Sequence, residues 1–161
     1  MLGMESCQEF GCYVFLILAK LLSARNSVSA AYEQIFSPCL SPVLWDNHGN
    51  IPSLTNLLCT YFYKGFVVPQ NNLSGVLGIF QKLNSSSKFD QYGMELLTAL
   101  LTTQILENTR PFLPQILNLQ FTRLQTKSTV QYLRCFCLCW SRFLLKHGPA
   151  VGKLTVLVCD S

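Results

Sequence analysis

Ser41-Pro42-Val43-Leu44-Trp45-Asp46-Asn47-His48-Gly49-Asn50-Ile51-Pro52 compresses a helix stop, a turn and a helix start into twelve residues. Trp45 closes one apolar run, and the four residues from Asp46 to Gly49 do not sustain a helix. Asn50 is placed to accept from the free N–H groups of the next helix. Pro52 falls in that helix's first turn, where a missing N–H has no partner to lose. Ile51, Leu54, Leu57, Leu58, Tyr61 and Phe62 then repeat at the spacing of one helix face. The stretch reads as a corner between two helices, with Trp45, Asn50, Ile51 and Pro52 as its structural residues and Trp45 and Ile51 packing one repeat on the next.

Outward from the corner the same event recurs. Upstream, a helix is expected from near Gln8 or Glu9 to about Ala24, and a second from about Ser29, kinked or shortened by Pro38 and Pro42. Downstream, the helix from Ile51 stops at Gly65, suited to the left-handed conformation that ends helices. Asn72 is expected to cap a fourth helix carrying Leu73, Val76, Leu77, Phe80 and Leu83. A fifth spans about 89–105 and a sixth about 109–125. Ser128-Thr129-Val130-Gln131 has the form of a capping box and starts a seventh, expected to end near Gly148-Pro149. The first, third, fifth and seventh helices begin near residues 9, 51, 89 and 128, a period of about 40. Helical hairpins at that period signify a HEAT or armadillo array. The expected fold is therefore all-α, a right-handed superhelical solenoid of antiparallel hairpins. About three and a half hairpins occupy 1–149, and 150–161 form a divergent, irregular tail.

Composition fits a piece of an array. Charged residues are 12% of the 161 and apolar residues 50%, against about 25% charged in ordinary soluble domains. Such a chain either enters a membrane or leaves faces for neighbours to cover. The best apolar run, 12–22, already contains Lys20 and is about half the roughly 20 residues a bilayer needs, so membrane insertion is not expected. Glu5 and Glu9 ahead of that run, with no basic segment, argue against a secretory signal. In a reducing compartment the eight cysteines read as buried thiols, and the sequons at Asn72 and Asn84 carry no weight. Cys135, Cys137 and Cys139 cluster, but on a helix Cys137 points nearly opposite to the other two, so the three do not close on one metal ion. No metal or other cofactor is expected.

Catalysis is not expected either. His48 reads as a turn residue, Asp46 and Glu33 offer no defined acid/base pair, and no nucleophilic triad or phosphate-binding glycine loop occurs. The net charge of +4 is uneven: residues 120–161 carry six basic and one acidic side chain. Arg123, Lys127, Arg134, Arg142 and Lys146 are the candidate partner-binding residues. The last three lie within about 120° on one helix face. They either line an inner surface that meets acidic protein patches or form a solvated face favoured by the helix dipole. No aromatic residues interleave with them as a stacking platform requires, so nucleic acid is not an expected partner.

Six runs carry a family resemblance in order: Gln8-Glu9-Phe10, Tyr13-Val14-Phe15, Pro42-Val43-Leu44-Trp45, Gly49-Asn50-Ile51-Pro52, Gly78-Ile79-Phe80-Gln81-Lys82-Leu83 and Phe121-Thr122-Arg123-Leu124-Gln125. Together, across about 8–148, they resemble the C-terminal half of the exportin-2 (CAS) family of the importin-β superfamily. The resemblance implies a HEAT-repeat nuclear transport receptor that binds Ran-GTP together with importin-α. Such receptors return importin-α to the cytoplasm and shuttle between nucleus and cytoplasm; association with the nuclear pore stays open. The N-terminal importin-β-type region that supplies much of the Ran contact has no counterpart here, and residues from Val151 onward depart from the family. The chain is thus expected to be a fragment, a truncated gene model or a divergent partial copy that does not support export alone. The alternative is a small non-catalytic helical-repeat scaffold that has lost transport. A polar cap on a terminal helix would favour it, whereas the first helix is the most apolar in the chain.

Overall fold

The computed structural model describes residues 2–159, and side chains within 10–149. Nine α-helices follow one another in these residues: α1 Leu2–Ser23, α2 Ala30–Cys39, α3 Pro42–Asp46, α4 Ile51–Tyr63, α5 Gln70–Asn84, α6 Asp90–Thr103, α7 Leu106–Thr109, α8 Leu113–Lys127 and α9 Val130–Cys159. Short 3-10 turns at His48–Asn50 and Arg110–Phe112 join α3 to α4 and α7 to α8. No strand occurs among the described residues.

Helices α1, α4, α6 and α9 stack side by side in that order, and α5 and α8 pack behind them. Interior members of the stack have neighbours on both sides and bury most of their residues: α4 buries Ile51, Leu54, Leu57, Leu58, Tyr61 and Phe62. Tyr61 donates to the Tyr32 carbonyl (2.7 Å) and Tyr32 to that of Leu18 (3.3 Å), so one phenol chain ties α4 to α2 and α2 to α1. Gly93 lets α6 approach α5: a Cβ there would lie 3.1 Å from that of Leu83.

Loops stack along both edges of the array. On one edge Asp46 pairs with Lys82, and the exposed His48 ring lies 4.7 Å from that of Phe89, joining the first corner to the second. The second corner meets the third through Arg123 and Asp90 (2.9 Å) and through Tyr132 and Asn84 (2.5 Å). On the other edge Gln104 accepts from Val68 N–H and donates to the Phe66 carbonyl, both at 2.9 Å. Gln70 and Asn108 add a contact of 3.1 Å there.

The opening corner is as read in its burial and differs in its capping. Trp45 and Ile51 are buried, and the Trp45 indole N–H donates to the Cys39 carbonyl at 2.9 Å. Pro52 lies in the first turn of α4. Asn50, however, does not cap α4. Its backbone is already helical (φ −80°, ψ −22°), whereas a cap requires an extended residue. It is buried and donates instead to the Leu44 carbonyl at 3.2 Å. Asn47 instead caps the 3-10 turn that precedes α4, its side chain accepting from Gly49 N–H at 3.1 Å.

Gly65 does end α4, at φ +79°, in a Schellman arrangement: Phe66 N–H bonds the Tyr61 carbonyl, Gly65 N–H that of Phe62, and the Phe66 and Tyr61 rings meet at 5.5 Å. Four other boundaries move. Helix α1 starts at Leu2, because no proline interrupts the residues before Gln8. Helix α5 starts at Gln70, two residues before the expected Asn72 cap, because the extended Pro69 offers its carbonyl to Asn72 and Leu73 N–H. Thr129 rather than Ser128 caps α9, its hydroxyl accepting from Tyr132 N–H at 3.1 Å. Finally α9 runs through Pro149 to Cys159, so residues 150–159 are helical where an irregular tail was expected. β-Branched residues such as Thr155 and Val156 disfavour a helix by only about 0.5 kcal/mol each.

Candidate interaction surface

The five basic candidates do not share one surface. Arg123 follows Ile116 and Gln120 along the buried stripe of α8 and is itself 6% exposed. It pairs with Asp90, donates to the Lys127 carbonyl, and lies over the Tyr132 ring at 5.2 Å. It is an internal brace between α6, α8 and α9, so its expected place on an open surface is corrected. Burial pushes the Tyr132 phenol up to about 12, with the Arg123 charge opposing the rise. Lys127 is exposed at the end of α8, beside Ser85, Ser86 and Ser87. Arg134 is exposed on α9. Lys146 reaches back to the Thr102 carbonyl at the end of α6.

Arg142 enters a different concavity from the one that Arg123 and Lys127 line with Ser85, Ser86 and Ser87. Because α6 sits between α4 and α9, a trough of about 440 Å³ opens across the three helices. Cys59 and Tyr63 contribute from α4, Met94 and Glu95 from α6, Leu138 and Arg142 from α9. Its surface combines apolar side chains with one exposed acid and one exposed base. Burial, helped by the Glu95 charge, pushes the Cys59 thiol up to about 12. Burial also raises Cys135 at the same trough. Both thiols stay protonated near neutral pH, so the trough offers no thiolate. Along α9, Cys139 is buried, Cys135 half-buried and Cys137 exposed, so the cluster diverges as the helical spacing requires. No metal-binding group of three His, Cys, Asp or Glu occurs among the described residues.

Sequence reading passed over the buried amides. Trp140 donates to Gln120 Oε1 at 2.8 Å while Gln120 Nε2 faces Met94 Sδ at 3.3 Å, and Asn84 takes the Tyr132 hydroxyl. The available signal was position: Gln120 shares the apolar stripe of α8 with Ile116.

Antiparallel helical hairpins stacked side by side define a HEAT-repeat-type solenoid. Residues 2–156 match the family profile described as CAS/CSE protein, C-terminus. Exportin-2 of Danio rerio is 36% identical over 146 residues, and that of Homo sapiens 33% over 146. In both cases the match covers 88% of this chain and 15% of the relative. The solved structure of the exportin Cse1 in its cargo-free, cytoplasmic state matches with a TM-score of 0.72 at 29% identity, covering 79% of this chain and 14% of that one. The chain belongs to the CAS/CSE family, that of exportin-2, and spans about 15% of the length of the relatives it matches.

Proposed function

We propose that the chain is a non-catalytic segment of an exportin-2-type nuclear transport receptor, shuttling between nucleus and cytoplasm and contributing surface to the recognition of importin-α and Ran-GTP. The observation that supports this most is the family match across 2–156 on an unbroken helical stack, whose open groove carries charge and apolar surface. Binding of this kind requires a superhelix that wraps its partners, so one short segment supplies a weak contact rather than cooperative capture. The exposed candidates Arg142, Arg134, Lys127 and Lys146 would meet acidic patches, with Arg142 and Glu95 in the trough fixing register.

The test is interferometry with the 161-residue chain immobilised and importin-α offered with and without Ran-GTP. A weak, Ran-independent response that R142E reduces severalfold is expected. Strong Ran-GTP-dependent retention would overturn the division of labour proposed here. No response to either protein would favour the alternative, a helical scaffold without transport function.

A further inference from the structure

Between the α5–α6 corner and the last turn of α8 lies a notch of about 530 Å³. The corner contributes Ser85, Ser86 and Ser87, and α8 contributes Arg123, Thr126 and Lys127. Two cations line it and no carboxylate does. Phe89 and Asp90 N–H both bond the Ser86 carbonyl, at 3.1 and 2.9 Å, so the serines are presented on a fixed turn. Beyond α8 the stack continues into α9, which packs on α6 and α8, so both walls of the notch are interior to the array.

The notch is short of acceptors. Arg123 spends Nη2 on Asp90 and Nη1 on the Lys127 carbonyl, but its Nε–H is buried without an acceptor. An unanswered N–H on a side chain this deeply buried is an exception that calls for a partner. Ser85 donates to the Lys82 carbonyl at 2.7 Å and Thr126 to that of Thr122 at 2.9 Å, so those hydroxyls are spent. The Ser86 hydroxyl instead accepts from Lys88 N–H at 3.4 Å and keeps its proton to give, and Ser87 beside it is exposed. Ion pairs among the described residues join Lys82 to Asp46 and Arg123 to Asp90, which leaves Lys127 beside the serines with no carboxylate. Donors therefore meet one space from two sides. A carboxylate offers two oxygens in one plane, whereas a phosphoryl group offers three in a tetrahedral array and a charge of about −1.5 to −2 at pH 7. We propose that the notch binds a phosphomonoester or phosphate dianion: Lys127 supplies the charge, the Ser86 and Ser87 hydroxyls donate, and Arg123 in the wall supplies the unspent N–H.

The test is amide NMR of the ¹⁵N-labelled 161-residue chain at constant ionic strength, titrated with inorganic phosphate and with a short phosphoserine peptide. Saturable shifts are expected at residues 85–88 and 126–128. They should weaken severalfold from about pH 7.5 to about pH 5.5, because a phosphomonoester takes up its second proton near pH 6. Lys127→Met leaves in place the backbone carbonyl that Arg123 uses and is expected to weaken binding severalfold, while Lys127→Arg keeps it. Tighter binding of the peptide than of the free ion identifies a phosphorylated side chain as the ligand; equal binding identifies the ion itself. An absence of saturable shifts overturns the proposal. So do shifts that follow every exposed lysine alike, that persist in the Lys127→Met chain, or that dimethyl phosphate, a diester, reproduces at equal strength. The assay uses neither importin-α nor Ran-GTP, so its outcome is separate from that of transport-partner binding.

Discussion

Trp45 shows how much one side chain sets at a corner. It is fully buried, and its indole N–H satisfies the Cys39 carbonyl at the end of α2. Trp45→Ala is expected to cost about 3–5 kcal/mol in urea unfolding, from lost burial and the cavity left behind. A loss under about 1 kcal/mol would contradict the burial. Arg123 and Asp90 form a different kind of brace, because taking two charges out of water is expensive unless each is answered. Asp90→Ala leaves the Arg123 charge stranded and is expected to lower stability by about 3–5 kcal/mol. An Asp90→Leu/Arg123→Met double variant is expected to lose less than the single one, read from the same denaturation midpoints. Trp45 and Ile51 were legible because apolar residues at helical spacing have few other places to go. Arg123 was misplaced because charge alone was weighed, although its register with Ile116 marked the interior.

Helices were legible as elements, and their ends were not. Periodicity located α1, α2, α4, α5, α6, α8 and α9, and Gly65 gave a true stop, because an αL position requires what glycine supplies. Caps failed where two candidates lay within three residues of each other. Asn47 and Asn50, or Ser128 and Thr129, differ only in backbone angles that sequence does not display. The loop between α4 and α5 depends on Gln104, which is buried and fills both the Val68 N–H and the Phe66 carbonyl. Gln104→Leu would strand both groups, at about 1–3 kcal/mol for each buried group left unpaired. Amide exchange is expected to accelerate at residues 66–70 while α4 keeps its protection. Equal acceleration in both would mean that the glutamine supports the whole array.

At the scale of the molecule, the period of about 40 carried the architecture, whereas the trough across α4, α6 and α9 was invisible because it joins residues as far apart as Asn56 and Arg142. Thiol burial makes a global prediction. Burial pushes Cys39 and Cys139 from 9.0 up to about 11. Between those values the unfolded chain has released protons that the folded chain still holds, so this stabilisation is complete below about pH 9 and lost as pH rises through about 11. The thermal midpoint should fall steadily from pH 9 to pH 11 in circular dichroism; a midpoint that held or rose would refute the sign. The stacked corners have a mechanical meaning as well. Asp46 and Lys82 bridge the first in the open, with Asp46 67% and Lys82 43% exposed, while Asp90 and Arg123 bridge the second from the interior. Salt screens the open pair and hardly touches the buried one. The ionic link at the first corner is therefore the one that weakens with ionic strength, while that at the second is kept.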